Sequence, residues 1–227
     1  MGDILCNNIE LFRFVNEPVP SNTYILVNNE RSECVVIDPG SKNPTDITNF
    51  ICGRNLALKY VILSHEHFDH CWGVNSLRNK FSTNVVATKS CADWLSIPMN
   101  YFNKLYYNSE EMYTAKVDTF VDNIGWQLGW NDCSITFHSA KGHTDKGMYI
   151  ILGDNVFTGD TLLFNTQPFI KKKYGGDIYD LYNTIKGIFG DFSADTRIYP
   201  GHGLPFLLKE AKPFYLDYFK YRINKEL

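Results

Sequence analysis

The sequence lacks the features that mark membrane, secreted and nucleic-acid-binding proteins. No apolar run reaches the length that spans a bilayer, and the start MGDILCNNIELFRF lacks the basic and apolar stretches of a signal peptide. The formal net charge of -3 gives no overall electrostatic attraction to nucleic acid, which disfavours such a partner but leaves room for a local basic patch. The six cysteines form no CxxC pair, which is typical of reduced, mostly buried thiols. We therefore expect a cytoplasmic protein that acts on a small molecule, with neither nucleic acid nor a membrane as partner.

The sequence does contain a regular alternation of short apolar runs and helical patterns. Hydrophobic residues make up 44% of the chain and charged residues 21%, which is typical of a globular protein. Helical spacing of apolar residues predicts helices over 44–55 and 177–189, and a mainly helical tail from Pro205. The alternation predicts a single α/β domain over residues 1–227. Strands are predicted at 22–28, 34–38, 60–64, 84–87, 134–138, 148–152 and 197–200.

Half of the six histidines stand in one window, HEHFDH at residues 65–70. The window follows the predicted strand 60–64, at the strand end where α/β proteins place their sites. Side chains two apart in an extended loop point the same way, so His65 and His67 can bind one metal ion. Asp69 and His70, after the chain turns, can face a second ion. The pattern therefore predicts a metal centre.

Two imidazoles do not complete a zinc site, so further ligands must come from elsewhere in the chain. Three candidates each follow a glycine in a turn-like context: His143 in KGHTD, Asp160 in FTGDT and His202 in YPGHG. A positive φ at glycine allows a tight turn to bring the next side chain to a crowded point. The remaining histidine, His138, ends an apolar run, and we interpret it as a structural residue.

The motifs NTYILV, VVIDPG, SHEHFDHCWG, KGHTDKG, FTGDTL and YPGHG together resemble the metallo-β-lactamase superfamily, in its glyoxalase II-like (hydroxyacylglutathione hydrolase-like) branch. This resemblance implies a four-layer αββα sandwich with the site at one edge. It also implies two divalent metal ions, which we expect to be zinc, with iron or manganese as alternatives. By resemblance, one ion would bind His65, His67 and His143, the other would bind Asp69, His70 and His202, and Asp160 would bridge them.

Two further residues of these motifs, Asp38 and Cys71, each allow more than one interpretation. Asp38 in DPG is a candidate acceptor for the second nitrogen of a ligating histidine, or only a turn residue. Cys71 is interpreted as a small buried residue and not as a ligand or nucleophile.

The resemblance further implies a hydrolase in which a hydroxide held between the two ions attacks a small activated acyl substrate, most simply a thioester or ester. Asp69, which would orient the hydroxide, and Asp160 are the candidate catalytic residues. Subgroups that hydrolyse β-lactams commonly have Cys or Ser in place of Asp160, so antibiotic hydrolysis is not expected. Leu163 replaces a tyrosine found in many acyl-homoserine lactonases, which disfavours that reaction.

The stretch after Asp160 departs from the glutathione thioesterases of the family. It lacks their Cys-Gly-Lys/Arg signature, and only about 25 residues follow His202, so a glutathione-specific site is not expected. Candidate substrate-binding residues in this stretch are Lys171, Lys172, Lys173 and Tyr174, because a cation there can pair with a substrate carboxylate. A solvated loop is the alternative.

Other functions remain open on the sequence alone. A mononuclear iron sulfur-dioxygenase shares the HxHxDH framework, lactonases and phosphodiesterases share the fold, and a silent binding module is a third class. The aromatic-rich segment 96–130 departs from the strand and helix rhythm and is read as an insertion. We expect it to cover the metal cleft or to form a subunit contact, since exposed aromatics are costly, with packing onto its own core as the alternative. The oligomeric state is left open.

Overall fold

The computed structural model of the protein describes residues 3–5, 9–121 and 125–227. Cys6 and the part of the aromatic segment at 122–124 lie outside them. The chain divides into two compact units, residues 1–122 and 123–227. The single domain over 1–227 stays a prediction. Within the described ranges, no helix is long and apolar enough to cross a bilayer.

The described strands of the first unit form a mixed seven-stranded sheet that follows chain order. Strands β1 to β4 pair antiparallel, and β4 to β7 pair parallel. β3 is buried along its whole length, as its continuous apolar run predicts. The strands are β1 (Asp3–Ile4), β2 (Ile9–Val15), β3 (Asn22–Asn28), β4 (Glu33–Ile37), β5 (Ala57–Ile62), β6 (Asn84–Thr88) and β7 (Thr119–Val121).

Short helices pack against this sheet in the first unit. They are α1 (Thr45–Gly53), α2 (Phe68–Cys71), α3 (Val74–Lys80), α4 (Lys89–Leu95) and α5 (Tyr101–Tyr107). α1 buries Ile47 and Ile51 in an apolar core that also contains Val36, Val61 and Leu63 from β4 and the β5 region. That core anchors the end of β5, from which the chain enters the HEHFDH window.

The described strands of the second unit form a six-stranded sheet in the order β13-β12-β11-β10-β9-β8. Only β11 and β12 pair parallel among these neighbours, and the other pairs are antiparallel. The strands are β8 (Trp126–Trp130), β9 (Cys133–Ser139), β10 (Met148–Leu152), β11 (Asn155–Gly159), β12 (Arg197–Pro200) and β13 (Phe206–Leu207).

Two long helices cover the apolar face of the second unit. α6 (Ile178–Asp191) begins at Asp177, whose carboxylate accepts hydrogen bonds from the amides of the first helical turn. α6 and α7 (Leu208–Ile223) bury Leu181, Ile185, Tyr215 and Phe219 in one core. A 3-10 turn, Lys172–Tyr174, precedes α6.

The predicted elements are confirmed where the sequence pattern was long or strongly apolar. All seven predicted strands, both predicted helices and the helical tail are present, with boundaries shifted by a few residues. The four helices α2 to α5 were missed, because at seven residues or fewer they are too short to show a helical period. The unpredicted strands include β2, β8 and β11.

The aromatic segment packs against its own unit beside the HEHFDH window. The ring of Phe102 in α5 stacks on Phe68 in α2, with 3.7 Å between centroids. Tyr107 meets Trp72 edge to face at 5.2 Å, and the Tyr113 hydroxyl donates to the Cys71 carbonyl at 2.5 Å. Part of the segment therefore packs onto its own unit at α2, in agreement with the alternative interpretation given above. A subunit contact stays a prediction.

Candidate metal centre

In the first unit, the candidate ligands follow the carboxyl end of a parallel strand pair. β4 ends before Asp38, and β5 ends before Ser64 and His65, so the two chain segments leave the sheet side by side. The Asp38 amide donates to the Ile62 carbonyl at 3.0 Å, which fixes this neighbourhood. The strand register thus brings residues more than twenty positions apart together.

The HEHFDH window presents its three imidazoles close to one another. The ring centroid of His65 lies 4.8 Å from that of His67 and 4.3 Å from that of His70. The Nε2 atom of His70 lies 3.7 Å from Oδ2 of Asp69. Glu66 and Phe68 point elsewhere, lining a small cavity with Cys71 and Trp72. This alternation agrees with the prediction from the sequence.

Asp38 decides which nitrogen His70 presents. Its carboxylate accepts hydrogen bonds from the Ser64 amide at 2.7 Å and the Ser64 hydroxyl at 2.6 Å, and Nδ1 of His70 lies 3.1 Å away. An ionised carboxylate only accepts, so Nδ1 of His70 carries the proton. The lone pair of Nε2 is then available to a metal ion. This geometry is that of an outer-shell acceptor, the role considered for Asp38.

The same reasoning sets the tautomer of His65. The Ser64 hydroxyl uses its single hydrogen toward Asp38, so it can only accept from Nδ1 of His65, 2.9 Å away. His65 therefore presents Nε2. Ser64 is a functional residue that sequence reasoning missed. Its position directly before the motif was the available signal.

In the second unit, Asp160 and His202 follow the carboxyl ends of the parallel pair β11 and β12. The Gly201 amide donates to the Gly159 carbonyl at 2.7 Å, which ties the two turns together. Gly159 has the positive φ expected of it, at 48°. At the His202 turn, the left-handed residue is Gly203, at 82°, which follows the ligand. The predicted use of a preceding glycine therefore needs this correction at His202.

His143 stands in a turn held against α6. Gly142 has a φ of 131°, and a Cβ there would lie 2.2 Å from the Leu181 Cα, so only glycine fits. Nδ1 of His143 lies 2.6 Å from the Phe169 carbonyl, which can only accept. Nδ1 is thus protonated, and Nε2 is the ligating nitrogen. The Phe169 carbonyl is a second contact that sequence reasoning missed.

The Asp160 carboxylate lies close to two of the histidines of the second unit, His143 and His202. Its Oδ2 is 3.6 Å from Nε2 of His143 and 3.4 Å from Nε2 of His202. Asp160 and His143 are buried, and His202 is partly exposed. One oxygen of Asp160 thus lies near the Nε2 atoms of two imidazoles.

Over the described residues, the His and Asp side chains form a cluster of two potential ligand groups, each with donor atoms within 4.8 Å of one another. The nitrogen and carboxylate donors suit a borderline ion such as zinc, and also iron or manganese. The tautomers derived above leave the Nε2 lone pairs available, so the donor set fits the predicted metal. One group consists of His65, His67, His143 and Asp160, and the other of Asp69, His70 and His202.

The remaining sequence candidates lie outside this cluster. Lys171, Lys172 and Lys173 are exposed on the loop that includes Phe169, and Nζ of Lys171 lies 5.4 Å above the Phe169 ring. His138 stacks on Tyr149 at 5.1 Å, and burial lowers its pKa. It is only half-buried, on a sheet face.

Cys71 behaves as the small buried residue that was predicted. It is 1% exposed, and burial raises the pKa of its thiol well above the ordinary value. A thiolate nucleophile is thus not populated at neutral pH. Cys34, Cys91 and Cys133 are also buried, whereas Cys52 is exposed.

Two mixed sheets, each followed by His and Asp side chains at the ends of its parallel strand pair, are the features of a metal-binding α/β protein. The chain belongs to the metallo-β-lactamase superfamily, whose family model matches residues 16–202. The predicted fold class is confirmed by this match and by the structural likeness given below.

Two curated relatives show the range of activities around this chain. It is 28% identical over 181 residues to Hydroxyacylglutathione hydrolase 1 of Vibrio vulnificus (strain YJ016), covering 80% of this chain and 62% of that protein. It therefore spans less than two thirds of that relative. It is also 28% identical over 181 residues to the probable polyketide biosynthesis zinc-dependent hydrolase PksB of Bacillus subtilis (strain 168), covering 79% of this chain and 71% of that protein.

Among solved structures, the chain is similar to the BLEG-1 B3 metallo-beta-lactamase. The TM-score is 0.76 at 24% identity, covering 88% of this chain and 95% of that one. This likeness shows the fold.

We expect Asp38→Asn to weaken zinc binding by roughly 10- to 100-fold, the usual effect of losing an outer-shell partner. Asn tolerates the left-handed φ of 53° at this position but lacks the charge that orients Ser64 and His70. Competition with a chromogenic chelator would measure the affinity. Asp46→Asn, an exposed carboxylate in the first turn of α1, is the control. Equal zinc affinity in both variants would contradict the role of Asp38.

Proposed function

We propose that the protein is a dinuclear metallohydrolase that cleaves a small activated acyl substrate, a thioester or ester. The observation that carries the proposal is the position of Asp160 Oδ2 near both His143 and His202, which belong to different ligand groups. A bridging carboxylate favours two ions over the single iron of a sulfur-dioxygenase. The proposed ligands are His65, His67, Asp69, His70, His143, Asp160 and His202.

The metal ions, when bound, would supply Lewis-acid activation of water and of the substrate carbonyl. The chain's own residues set up that chemistry. Asp38, Ser64 and the Phe169 carbonyl hold protons on the Nδ1 atoms of His70, His65 and His143. The Asp69 carboxylate orients the attacking water. We propose zinc as the native metal, supported by the donor set and by the printed name of the Bacillus subtilis relative.

The substrate class is supported by what the chain offers for leaving-group departure. Five of the six histidines belong to the proposed ligand set, and His138 stacks on Tyr149 instead. A substrate whose leaving group needs no general acid is therefore favoured. A thiol with a pKa near 8.5 leaves as thiolate, whereas an amine needs a proton. The hydroxyacylglutathione hydrolase relative supports a thioester.

The loop from Phe169 to Gly176 is the proposed substrate-recognition element. Its Phe169 carbonyl contacts His143, so the loop is anchored at the ligand turn. The Gly176 Cα packs so closely on this turn that a Cβ would lie 2.8 Å from the His143 carbonyl oxygen. Lys171 to Lys173 and Tyr174 are carried on the exposed part of the same loop. A substrate carboxylate would pair there with a lysine.

Asp160→Asn should lower zinc occupancy and reduce kcat/KM by at least roughly tenfold, because a first-sphere ligand contributes no less than an outer-shell partner. The fold should persist, since Asn has the same shape. Elemental analysis, circular dichroism and kinetics measure the three quantities. Asp154→Asn, on an exposed turn, is the control. Unchanged turnover in Asp160→Asn would remove the bridging role.

A matched substrate panel tests the reaction class. We expect the thioester to exceed the β-lactam in kcat/KM by roughly tenfold or more, each factor of ten being about 1.4 kcal/mol of barrier. An oxoester and a phosphodiester complete the panel. β-Lactam turnover comparable to the thioester, or faster phosphodiester cleavage, would overturn the assignment. Stoichiometric iron with oxygen uptake on a persulfide would instead indicate the dioxygenase.

Lys171→Ala should raise KM about two- to fivefold for a thioester that carries a carboxylate, and leave a neutral analogue unaffected. The expected change in KM is modest because the Lys171 side chain is exposed, and an exposed ion pair contributes roughly 0.2 to 1 kcal/mol. Lys220→Ala, exposed on α7, is the matched control. An equal effect on the neutral analogue would argue against charge pairing.

A further inference from the structure

We propose that Asn16 is a positioning residue for Asp69 and His70, the ligands that the first unit contributes to the second group. The inference rests on the proposed dinuclear function. Asn16 follows β2 and is 2% exposed. It lies far in sequence from every ligand, and no motif includes it.

The Asn16 amide connects three chain segments. Its Oδ1 accepts from the Thr23 hydroxyl at 3.0 Å and from the amide and hydroxyl of Ser41, both at 3.1 Å. Its Nδ2 donates to the Ser21 hydroxyl at 2.9 Å and to the Asp38 carbonyl at 3.5 Å. A carboxamide is the side chain that can accept on one side and donate on the other. Asn16 therefore meets the demand for both an acceptor and a donor at this position.

One branch of this network reaches the backbone of Asp69. The Ser21 hydroxyl accepts from Asn16, and its own hydrogen is donated to the Asp69 carbonyl. The Asp69 carbonyl also lies against Gly40, where a Cβ would be only 1.6 Å from its oxygen. The position of the Asp69 main chain is thus set by Ser21 and by the turn at Gly40. Asn16 bonds directly to Ser21, and it also bonds to Ser41, the residue that follows Gly40.

The second branch reaches Asp38, which orients His70. Asp38 has a φ of 53°, a left-handed conformation that is costly for a non-glycine residue. The Asp38 carbonyl accepts from the Thr23 hydroxyl at 2.7 Å and from Asn16 at 3.5 Å. These bonds hold the strained turn from outside. Loss of Asn16 would relax the turn and displace the carboxylate that fixes the His70 tautomer.

The test is stepwise zinc binding to apoprotein, measured by calorimetry on the full chain. Asn16→Ala should weaken one of the two zinc equivalents by roughly 10- to 100-fold, as for other outer-shell partners, and the other by a clearly smaller factor, because the first group is reached only at His65, through Asp38 and Ser64. A merely structural role would weaken both equivalents alike. Asn103→Ala is the matched control, because Asn103 is 3% exposed and its side chain bonds Lys42 and the Glu111 carbonyl.

Equal weakening of both equivalents, no weakening, or the same selective loss in Asn103→Ala would overturn the role of Asn16. If Asn16→Ala does not fold, Ser21→Ala decides the question, because it removes the bonds of the Ser21 hydroxyl to Asp69 and to Asn16 and leaves the bonds of Asn16 to Thr23 and Ser41 in place. Ser21→Ala should weaken the same zinc equivalent by a smaller factor. An unchanged binding isotherm would contradict the proposal. Wild-type protein that binds fewer than two zinc ions would instead refute the dinuclear function itself.

Discussion

The buried carboxylate of Asp38 is the group on which the metal-binding geometry of the first unit depends. An ionised carboxylate is costly to bury unless its oxygens are satisfied, and here Ser64 supplies two donors and His70 a third. These bonds offset the burial cost and determine which nitrogen each imidazole presents. The proton on the far side of the ring is therefore as much a part of the site as the ligating atom.

Both units solve the problem of assembling ligands in the same way. Each has a parallel strand pair, β4 with β5 and β11 with β12, and ligands or their supports follow the carboxyl ends of both strands. Parallel neighbours end at the same edge of a sheet, so residues distant in sequence emerge together. These four strands end in buried residues, and the turns that follow them carry the candidate ligands or their hydrogen-bond partners. Because one fold supports different reactions, the substrate is selected by the loops and not by the fold that this chain shares with a β-lactamase.

One loop in the second unit carries the proposed substrate-binding lysines and also contacts the candidate ligand His143. The Phe169 carbonyl contacts His143, while Lys171 on the same loop lies over the Phe169 ring. The Asp177 amide, at the end of the loop, donates to the Gly142 carbonyl at 2.9 Å. The loop is therefore anchored at both sides of the His143 turn.

Local residue patterns were sufficient to predict most of the longer strands and helices of this protein. Continuous apolar runs identified strands such as β3 and β10, and alternation in HEHFDH indicated that His65 and His67 lie together. The short helices escaped, because α2 has only four residues and no period to detect. The position of glycine was a partial guide, correct at Gly142 and Gly159 but shifted to Gly203 at the third turn.

Residue types and their local spacing were enough to predict which side chains are candidate metal ligands, because ligand chemistry belongs to the side chain itself. How those side chains are held depends on contacts that form only in the folded chain. Asp38 meets His70 through the register of β4 with β5, and Asn16 reaches Asp38 and Ser41 from a turn after β2. The acceptor for His143 is the main-chain carbonyl of Phe169. Every residue has such a carbonyl, so only the path of the folded loop selects the one that meets His143.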